Sequence, residues 1–575
     1  MTEPEQPGSA MPGQAAAVGL LALAVLLRWL AWSSIQQDWW ADNPTVDAFT
    51  YLEQVRALLA GQDPFAEGLY QPPGLPWLMQ AQHLLLGADE ATPSIPRAFN
   101  LLFGLLTTGG VYLLGRRLHP SPWLALGAGV LYTLYPSTLL FELDLLTPPT
   151  TGLLLVLALL LYRRSWWGAG LAGLALGAAV VVHPTFLLAA LALAWLLRRE
   201  RAPLAAFAFA VVLMLSPTMK RNADAGHFAL VSHNAGLNAY LGNNPDWKET
   251  AFLRPGVPFR QLVLQADPAN RDQYQRNEYW LERTKAEASA HPGALLGALA
   301  TKAVWSVNHR EIPRNEDYRC RTQEGPLAWV GALPVRYGLV FPLALVGVFV
   351  CLSRRRWELP LLWASLQAPM VLFLVADRYR MATWPVLCLL AAVGGARLLQ
   401  ALQRRHWPVG AVALVGLVLT LAPIDPVAGF HEGWCVHQQA NRLMAEEDVE
   451  GARALYEQAA ELEPEQLGHW YWLGETRART KDPEGAIEAW DHVLADFPDH
   501  YQSLIGAARE SGRLGRFTEA ADYQGAACEI PGPRTNTCAR YVELLWKAGR
   551  KDEARAVLVQ RPELRGHPKV EGLDL

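Results

Sequence analysis

Long apolar segments recur along the first three quarters of the chain and alternate with polar stretches. They lie at residues 15–34, 98–118, 122–141, 149–162, 166–182, 185–198, 203–217, 335–352, 357–375, 382–402 and 408–424. Most of them approach the ~20 residues that an α-helix needs to cross a bilayer. The pattern therefore predicts an all-α, polytopic membrane protein with about eleven transmembrane helices.

A different pattern begins after residue 423, where the sequence becomes more polar but stays rich in helix-forming residues. Small residues recur there every 34 positions in two series, which are Ala452, Ala486, Ala520 and Ala554, and Ala440, Gly474 and Ala508. This period is that of the tetratricopeptide repeat, in which small residues let paired helices pack closely and stacked pairs form a concave surface. We predict a soluble repeat domain over 434–562 and a C-terminal tail over 563–575.

Basic residues set the orientation of the predicted spans. Five clusters each lie at an alternate span boundary, at residues 116–117, 163–164, 198–201, 354–356 and 404–405. With eleven spans all five fall on one side, as the positive-inside rule requires. Residues 1–14 form a cytoplasmic tail in this prediction, and they lack the basic region and cleavage site of a secretory signal. The loops 35–97 and 218–334 and the repeat domain are then external.

Composition excludes several functions. The chain is 51% hydrophobic and 18% charged, and its net charge of −4 indicates no particular partner. We find no Lys/Arg-rich run typical of nucleic-acid binding, no phosphate-binding glycine loop and no metal-ligand spacing among the six cysteines. Cys528 and Cys538 could form a disulfide in an oxidising compartment, or could be two buried thiols at helix interfaces.

Acidic residues in the predicted external loops are candidates for chemistry. Asp47 lies at the start of a predicted surface helix, where it is either a catalytic acid or base or a charge favoured by the helix dipole. Tyr70 opens a rigid proline-rich turn that could form the wall of an external cavity. Glu142 and Asp144 lie in a short external loop without a basic neighbour in sequence. Unpaired acids at a membrane surface tend to bind a substrate, a cation or an internal base.

Basic residues outside the positive-inside pattern are the candidates for anion binding. Lys220 and Arg221 follow the seventh predicted span, and Arg378 and Arg380 open the tenth. Arginine offers forked donors to phosphate oxygens and lysine a point charge. The alternative is that these side chains snorkel to the membrane surface.

Further polar residues occur on the same predicted face. His183 ends the fifth span, where a lone histidine is more often a structural hydrogen-bonding group than a catalyst. Asn234, Asn238 and Asn243 lie in a turn-rich stretch and could bind sugar hydroxyls, although turn formation alone would explain them.

The order and sidedness of these motifs resemble the C-type (GT-C) membrane glycosyltransferases, in the branch of the protein O-mannosyltransferases and the lipid A aminoarabinose transferases. The matching features are the loop with Asp47, the turn at 70–76, the acids Glu142 and Asp144, and the segments 220–222, 236–245 and 378–380. The resemblance covers residues 15 to 425, which would form the transmembrane catalytic domain. It implies transfer of a sugar from a polyprenyl-phosphate donor to a hydroxyl acceptor on the external or periplasmic face of a membrane, which we expect to be the bacterial inner membrane.

The resemblance also implies roles for individual residues. Asp47 matches the acid of the first loop and would be the general base of an inverting transfer, while Lys220, Arg221, Arg378 and Arg380 would hold the donor phosphate. Glu142 or Asp144 would bind sugar hydroxyls or a divalent cation, and no other cofactor is implied. Tyr70, His183 and the three asparagines would contact the sugar or the acceptor. The repeats would recruit a protein or glycan acceptor.

Two alternatives use the same sequence features. One is an O-antigen ligase or polymerase, which would use a polyprenyl-diphosphate glycan and would depend on basic residues in a late loop. The other is a membrane scaffold that displays tetratricopeptide repeats without catalysing a reaction, and it would tolerate loss of Asp47.

Overall fold

The computed structural model describes residues 11–253, 256–264, 272–314, 317–323, 325–405, 407–426, 431–530 and 534–575, and these contain no β-strand. The prediction of an all-α fold is therefore confirmed for the described residues. The chain divides into two compact units. One unit comprises Met1–Phe252 and Arg271–Phe430, and the other comprises Leu253–Asn270 and His431–Leu575.

The α-helices of the described residues are numbered in chain order. The first thirteen are α1 (Met11–Ile35), α2 (Val46–Leu59), α3 (Gly74–Leu85), α4 (Ser94–Leu118), α5 (Pro122–Thr133), α6 (Pro136–Leu143), α7 (Pro148–Leu161), α8 (Trp166–Val182), α9 (Leu187–Leu196), α10 (Arg201–Asp224), α11 (Ala235–Asn243), α12 (Trp247–Ala251) and α13 (Val257–Leu264). The remainder are α14 (Gln273–Ala290), α15 (Pro292–Trp305), α16 (Tyr318–Thr322), α17 (Ala328–Gly331), α18 (Tyr337–Ser353), α19 (Glu358–Leu372), α20 (Asp377–Gln403), α21 (Trp407–Thr420), α22 (Glu432–Ala445), α23 (Val449–Leu462), α24 (Leu467–Arg479), α25 (Pro483–Asp496), α26 (Tyr501–Arg513), α27 (Phe517–Glu529), α28 (Thr535–Lys547) and α29 (Lys551–Gln560). Helices α13 and α22–α29 belong to the second unit.

Fewer helices than expected are long enough to cross a membrane. By length and composition four of the described helices qualify, namely α1 from residue 13, α4, α10 and α20, or five if the bent pair α5–α6 is one span. The count of about eleven is therefore not confirmed. Other apolar helices, such as α7 and α21 with 14 residues each, are shorter. At 1.5 Å per residue such a helix is about 21 Å long, against a hydrocarbon core of about 30 Å.

Prolines account for several of the early boundaries. Helices α5, α6 and α7 each begin with a proline, and Pro184 follows the end of α8. Proline lacks a backbone N–H and is tolerated at the first turn of a helix but not in the ladder that precedes it. The hydropathy pattern runs through Pro136, so the predicted span 122–141 is divided into α5 and α6.

The start of α20 is fixed by backbone and aromatic contacts. The amide of Asp377 donates to the carbonyl of Ile312 at 2.8 Å. Arg380 lies over the ring of Tyr337 at 4.7 Å, and one turn further on the ring of Trp384 stacks within 4.0 Å of Tyr135. These contacts hold α20 against α18 and the α5–α6 connection, so residues in its first turn have a defined position.

A buried ion pair joins α1 to α6. Arg28 donates to Glu142 with 2.7 Å between Nη2 and Oε1, and the two side chains are 5% and 1% exposed. A Cβ atom on Gly104 of α4 would lie 1.8 Å from Glu142 Oε1, so only glycine leaves room for the carboxylate at that position. The sequence analysis placed Glu142 in an external loop without a basic neighbour. The structure corrects this placement, because Glu142 lies in α6 and its basic partner comes from a helix 114 residues away.

The second unit has the predicted repeat pattern. Its helices pair as α22–α23, α24–α25, α26–α27 and α28–α29, and the four alanines in the 34-residue register are all fully buried. Asp448 and Asp482, which also lie 34 residues apart, accept hydrogen bonds from the amides of Gly451 and Gly485 at 2.9 and 3.0 Å. Each aspartate thereby caps the second helix of its repeat. The helix pairs and the buried small residues agree with the predicted 34-residue pattern.

A disulfide joins Cys528 of α27 to Cys538 of α28. The sequence left this pair open between a disulfide and two thiols. A bridge between residues ten positions apart reduces the conformational entropy of the unfolded chain. We therefore expect the Cys528→Ala/Cys538→Ala variant to lose about 2–3 kcal/mol of stability. The measurement is thermal unfolding of the full-length protein followed by circular dichroism. The matched control is Cys351→Ala, since Cys351 is a free thiol. Equal unfolding of the double variant and the oxidised wild type would contradict the expectation.

Candidate functional site

A carboxylate and a guanidinium from distant parts of the first unit meet at the starts of two helices. Asp47 lies in the first turn of α2, as predicted, and its Oδ2 accepts a hydrogen bond from Arg378 Nη1 at 2.5 Å. The residues are 331 positions apart in sequence. Their side chains are 23% and 18% exposed, so the pair is accessible but largely desolvated. The two residues therefore form one site, in which Arg378 could bind an anion beside the proton-accepting carboxylate of Asp47.

Two neighbours donate to or accept from this pair. Gln71 donates from Nε2 to the other oxygen of Asp47 at 3.2 Å. Arg378 donates from Nη2 to the hydroxyl of Tyr379 at 3.0 Å. The carboxylate is thus held through both oxygens, and the plane of the guanidinium is fixed from two sides.

Two buried polar atoms of this cluster have no hydrogen-bond partner in the part of the chain that the structure describes. Arg378 Nε and Gln71 Oε1 are both shielded from solvent, and neither makes a hydrogen bond to the described residues. A buried polar atom without a partner costs roughly 1–3 kcal/mol. A ligand that supplies an acceptor to Nε and a donor to Oε1 would remove that cost. A phosphate oxygen and a hydroxyl group, respectively, have these properties.

His183 lies on the other side of Tyr379. The two rings meet edge to face with centroids 5.6 Å apart, and His183 Nδ1 is hydrogen-bonded to the hydroxyl of Thr185 at 2.6 Å. Burial, and then the positive charge of Arg378, lower the pKa of His183 to about 4. The imidazole is therefore neutral at neutral pH. It can offer a hydrogen bond to a ligand but adds no charge that would attract phosphate.

The negative charge of Asp47 acts on two tyrosines. Burial and then Asp47 raise the pKa of Tyr51, which lies one turn further along α2. Partial burial and then Asp47 also raise the pKa of Tyr70, while Arg276 of α14 opposes this effect. Both phenols are therefore protonated at neutral pH and can act as hydrogen-bond donors.

A glycine lets the Gln71 segment approach the His183 segment. Gly74 begins α3, and a Cβ atom there would lie 2.7 Å from backbone atoms of Val181 and Val182 at the end of α8. We expect Gly74→Ala to push these two helices apart and to cost about 1–3 kcal/mol, as overpacking typically does.

Thermal unfolding of the detergent-solubilised full-length protein measures the effect of Gly74→Ala. The control is Gly127→Ala in α5, because nothing lies within 4 Å of a Cβ at that position. If both variants unfold at the same temperature as the wild type, the close approach at Gly74 does not contribute to stability.

The other three basic residues that the sequence assigned to the phosphate have different contacts. Lys220 is exposed on the last turn of α10 and pairs with Asp224 at 2.5 Å. Arg221 bonds to Asp63 and to the carbonyl of Phe65. Arg380 donates to two backbone carbonyls, those of residues 305 and 310, at 2.7 Å each, and lies near Glu311. Of the four, Arg378 is the one that contacts Asp47.

The two further acids are engaged elsewhere in the first unit. Asp144 accepts hydrogen bonds from the Tyr318 hydroxyl and from its neighbour's amide, both at 2.7 Å. Glu142 is paired with Arg28. Within the described ranges no three or more His, Cys, Asp or Glu side chains lie close enough together to hold a metal ion. The divalent cation that the sequence left open therefore has no cluster of side-chain ligands in these ranges.

The three asparagines stabilise α11 and its neighbours. Asn238 donates to the carbonyl of Asn234 at 3.0 Å. Asn243 donates to the carbonyls of Ala239 and Leu372 at 2.8 Å, and its oxygen accepts from Lys302 at 2.8 Å. These contacts fit the structural explanation that turn chemistry offered for this stretch.

Sequence reasoning missed three residues around the candidate site. Gln71 and Tyr379 adjoin Tyr70 and Arg378 in sequence, and a search around those motifs could have found them. Glu311, which pairs with Arg380 and accepts from the Tyr135 hydroxyl, lies in a loop segment without any motif. Its partners are distant in sequence, so no local signal identifies it.

The chain was compared with known sequences, solved structures and protein families. No curated protein sequence matches the chain. Among solved structures, one described as "Functional Characterization of Pseudomonas Aeruginosa pilF" is 14% identical, covers 40% of this chain and 95% of its own, and has a TM-score of 0.21. Residues 443–508 match the family described as Tetratricopeptide repeat. This stretch of the second unit is a tetratricopeptide repeat, in agreement with the 34-residue period and the helix pairs.

Proposed function

We propose that this protein is a membrane glycosyltransferase that moves a sugar from a polyprenyl-monophosphate donor to a hydroxyl acceptor with inversion at the anomeric carbon. One observation supports it most: Asp47 contacts Arg378, whose buried Nε has no hydrogen-bond partner among the described residues. A proton acceptor and an anion-binding donor thus lie side by side. Four apolar helices of membrane-spanning length are compatible with a donor carried on a lipid.

The chemistry follows from these two side chains. The oxygen of the acceptor hydroxyl attacks the anomeric carbon, and its proton passes to the Asp47 carboxylate. The bond between the anomeric carbon and the phosphate oxygen breaks, and polyprenyl phosphate leaves as an anion whose charge Arg378 stabilises. Arginine has five donors, so Arg378 can bind a phosphate oxygen through Nε while its other nitrogens stay on Asp47 and Tyr379. Asp47 then releases its proton to water.

The acceptor and the compartment are part of the same proposal. Tetratricopeptide repeats commonly bind proteins, so the second unit is suited to recruiting a protein acceptor or an assembly partner. Disulfides persist in oxidising compartments, and the Cys528–Cys538 bridge supports an external or periplasmic location of the repeats.

The test is the release of free polyprenyl phosphate by the purified full-length protein in lipid discs, with a panel of polyprenyl-phosphate sugars and a crude acceptor extract. We expect release that depends on the acceptor. Release from diphosphate-linked glycans alone would assign the protein to the ligase class. No release from either kind of donor would favour a scaffold that displays the repeats.

A further inference from the structure

A short helix from an earlier part of the chain packs on the repeats in the second unit. It is α13, which lies about 200 positions before the helices that it contacts. Val257 is buried together with Leu467 of α24 and with Val493 and Phe497 at the end of α25. Trp470 and Tyr471 of α24 pack around this cluster. The α13-binding surface, as we name it, thus consists of Leu467, Trp470, Tyr471, Val493 and Phe497.

Polar contacts fix the direction of α13 on this surface. Gln261 donates from Nε2 to the carbonyl of Asp496 at 3.1 Å. This carbonyl belongs to the last turn of α25, where backbone acceptors have no partner inside the helix. Burial, and then the positive charge of Arg260, lower the pKa of His500 to about 4, and the same charge acts on Tyr471. Apolar and polar contacts therefore both orient the helix.

Helix α13 presents Val257 to the apolar cluster and Gln261 to the end of α25. Helix α13 buries Val257 at its start and Leu262 near its end and leaves Arg260 and Leu264 exposed. A helix of eight residues is only marginally stable alone in water, so its packing on the repeats must stabilise it. Because it belongs to the same chain, its effective concentration at the surface is of the order of millimolar.

We propose that the α13-binding surface is a recognition site for a short amphipathic helix of a partner protein, and that α13 is a built-in competitor that occupies it. The partner helix would present an apolar residue to the cluster and, three and four positions later, a basic residue and a side-chain amide, as Val257, Arg260 and Gln261 of α13 do. A partner must displace α13, and it therefore binds only when its helix is abundant or binds the surface more tightly than α13 does. This inference does not depend on the proposed transferase activity.

The test uses full-length protein in detergent and a fluorescent peptide with the sequence of residues 256–264. Wild type and the Val257→Asp/Leu262→Asp variant are titrated, and binding is measured by fluorescence polarisation. We expect at least tenfold tighter binding to the variant, because its own helix no longer occupies the surface. Val257→Ala, a milder change, is expected to give an intermediate affinity and guards against misfolding of the double variant.

Two controls sharpen the comparison. Leu264→Asp changes an exposed residue of the same helix and should bind the peptide as weakly as the wild type does. A peptide with aspartate at the positions of Val257 and Leu262 should not bind to any of the proteins. Equal binding of the unmodified peptide to all proteins, or to none, would overturn the proposal. So would concentration-dependent dimerisation of the wild type that the double variant lacks, since it would assign the surface to a second copy.

Discussion

Replacing Asp47 with asparagine is expected to lower the rate of polyprenyl phosphate release by about 10²–10⁴-fold, the usual contribution of a general base. Asparagine keeps the shape of the side chain, and its single oxygen can still accept from Arg378, while its amide nitrogen can donate to the side-chain oxygen of Gln71 after a rotation of that amide. It has no charge with which to take the proton of the acceptor hydroxyl. The loss should therefore appear in kcat, while the affinity for the donor should change much less.

The measurement is the release assay in lipid discs over a range of pH, with wild type and Asp47→Asn side by side. The matched control is Glu53→Gln, because Glu53 lies in the same helix and pairs with Arg56 at an exposed position. The acidic limb of the wild-type pH profile should be absent from the residual activity of Asp47→Asn. Activity of that variant within threefold of the wild type would move the base to another residue.

Replacing Arg28 with methionine is expected to destabilise the first unit by about 3–5 kcal/mol, as removal of one partner from a buried pair does. Glu142 is 1% exposed and would be left as an uncompensated charge inside the helix packing. Its second oxygen already has no hydrogen-bond partner within the described residues. Removal of one side chain of the pair should therefore cost far more stability than replacement of both side chains together.

Unfolding of the detergent-solubilised variants measures this effect. Arg28→Met/Glu142→Gln should recover most of the lost stability. Lys220→Ala, which removes an ion pair of similar length at an exposed position, should cost less than about 1 kcal/mol. A stable Arg28→Met variant that has lost activity would instead support the role of Glu142 as a ligand for sugar hydroxyls or a cation.

Periodic and local features of the fold could be predicted from the sequence. The register of Ala452 and Ala486 is repeated by the capping residues Asp448 and Asp482, so each repeat is specified by its own residues. Asp47 could be placed at a helix start for the same reason, because the signal lies within a few positions of it.

Other features depend on contacts between distant residues. No local pattern indicates that Arg28 faces Glu142 or that Arg378 faces Asp47 rather than a membrane surface. Helix α13 is too short to show a helical period, and only packing assigns it to the repeats. The count of about eleven spans stays a prediction, because several of the apolar helices are shorter than the helices that qualify by length.

The first turn of α20 carries two arginines that make different contacts. Residues two apart on a helix project about 200° from each other, so Arg378 and Arg380 leave the helix in nearly opposite directions. Arg380 secures the backbone around residues 305–310, whereas Arg378 reaches Asp47. The two arginines therefore contribute to different properties of the protein. A substitution of Arg380 would therefore act through the stability of the folded protein, whereas in the proposed reaction a substitution of Arg378 would act through the turnover of each folded molecule.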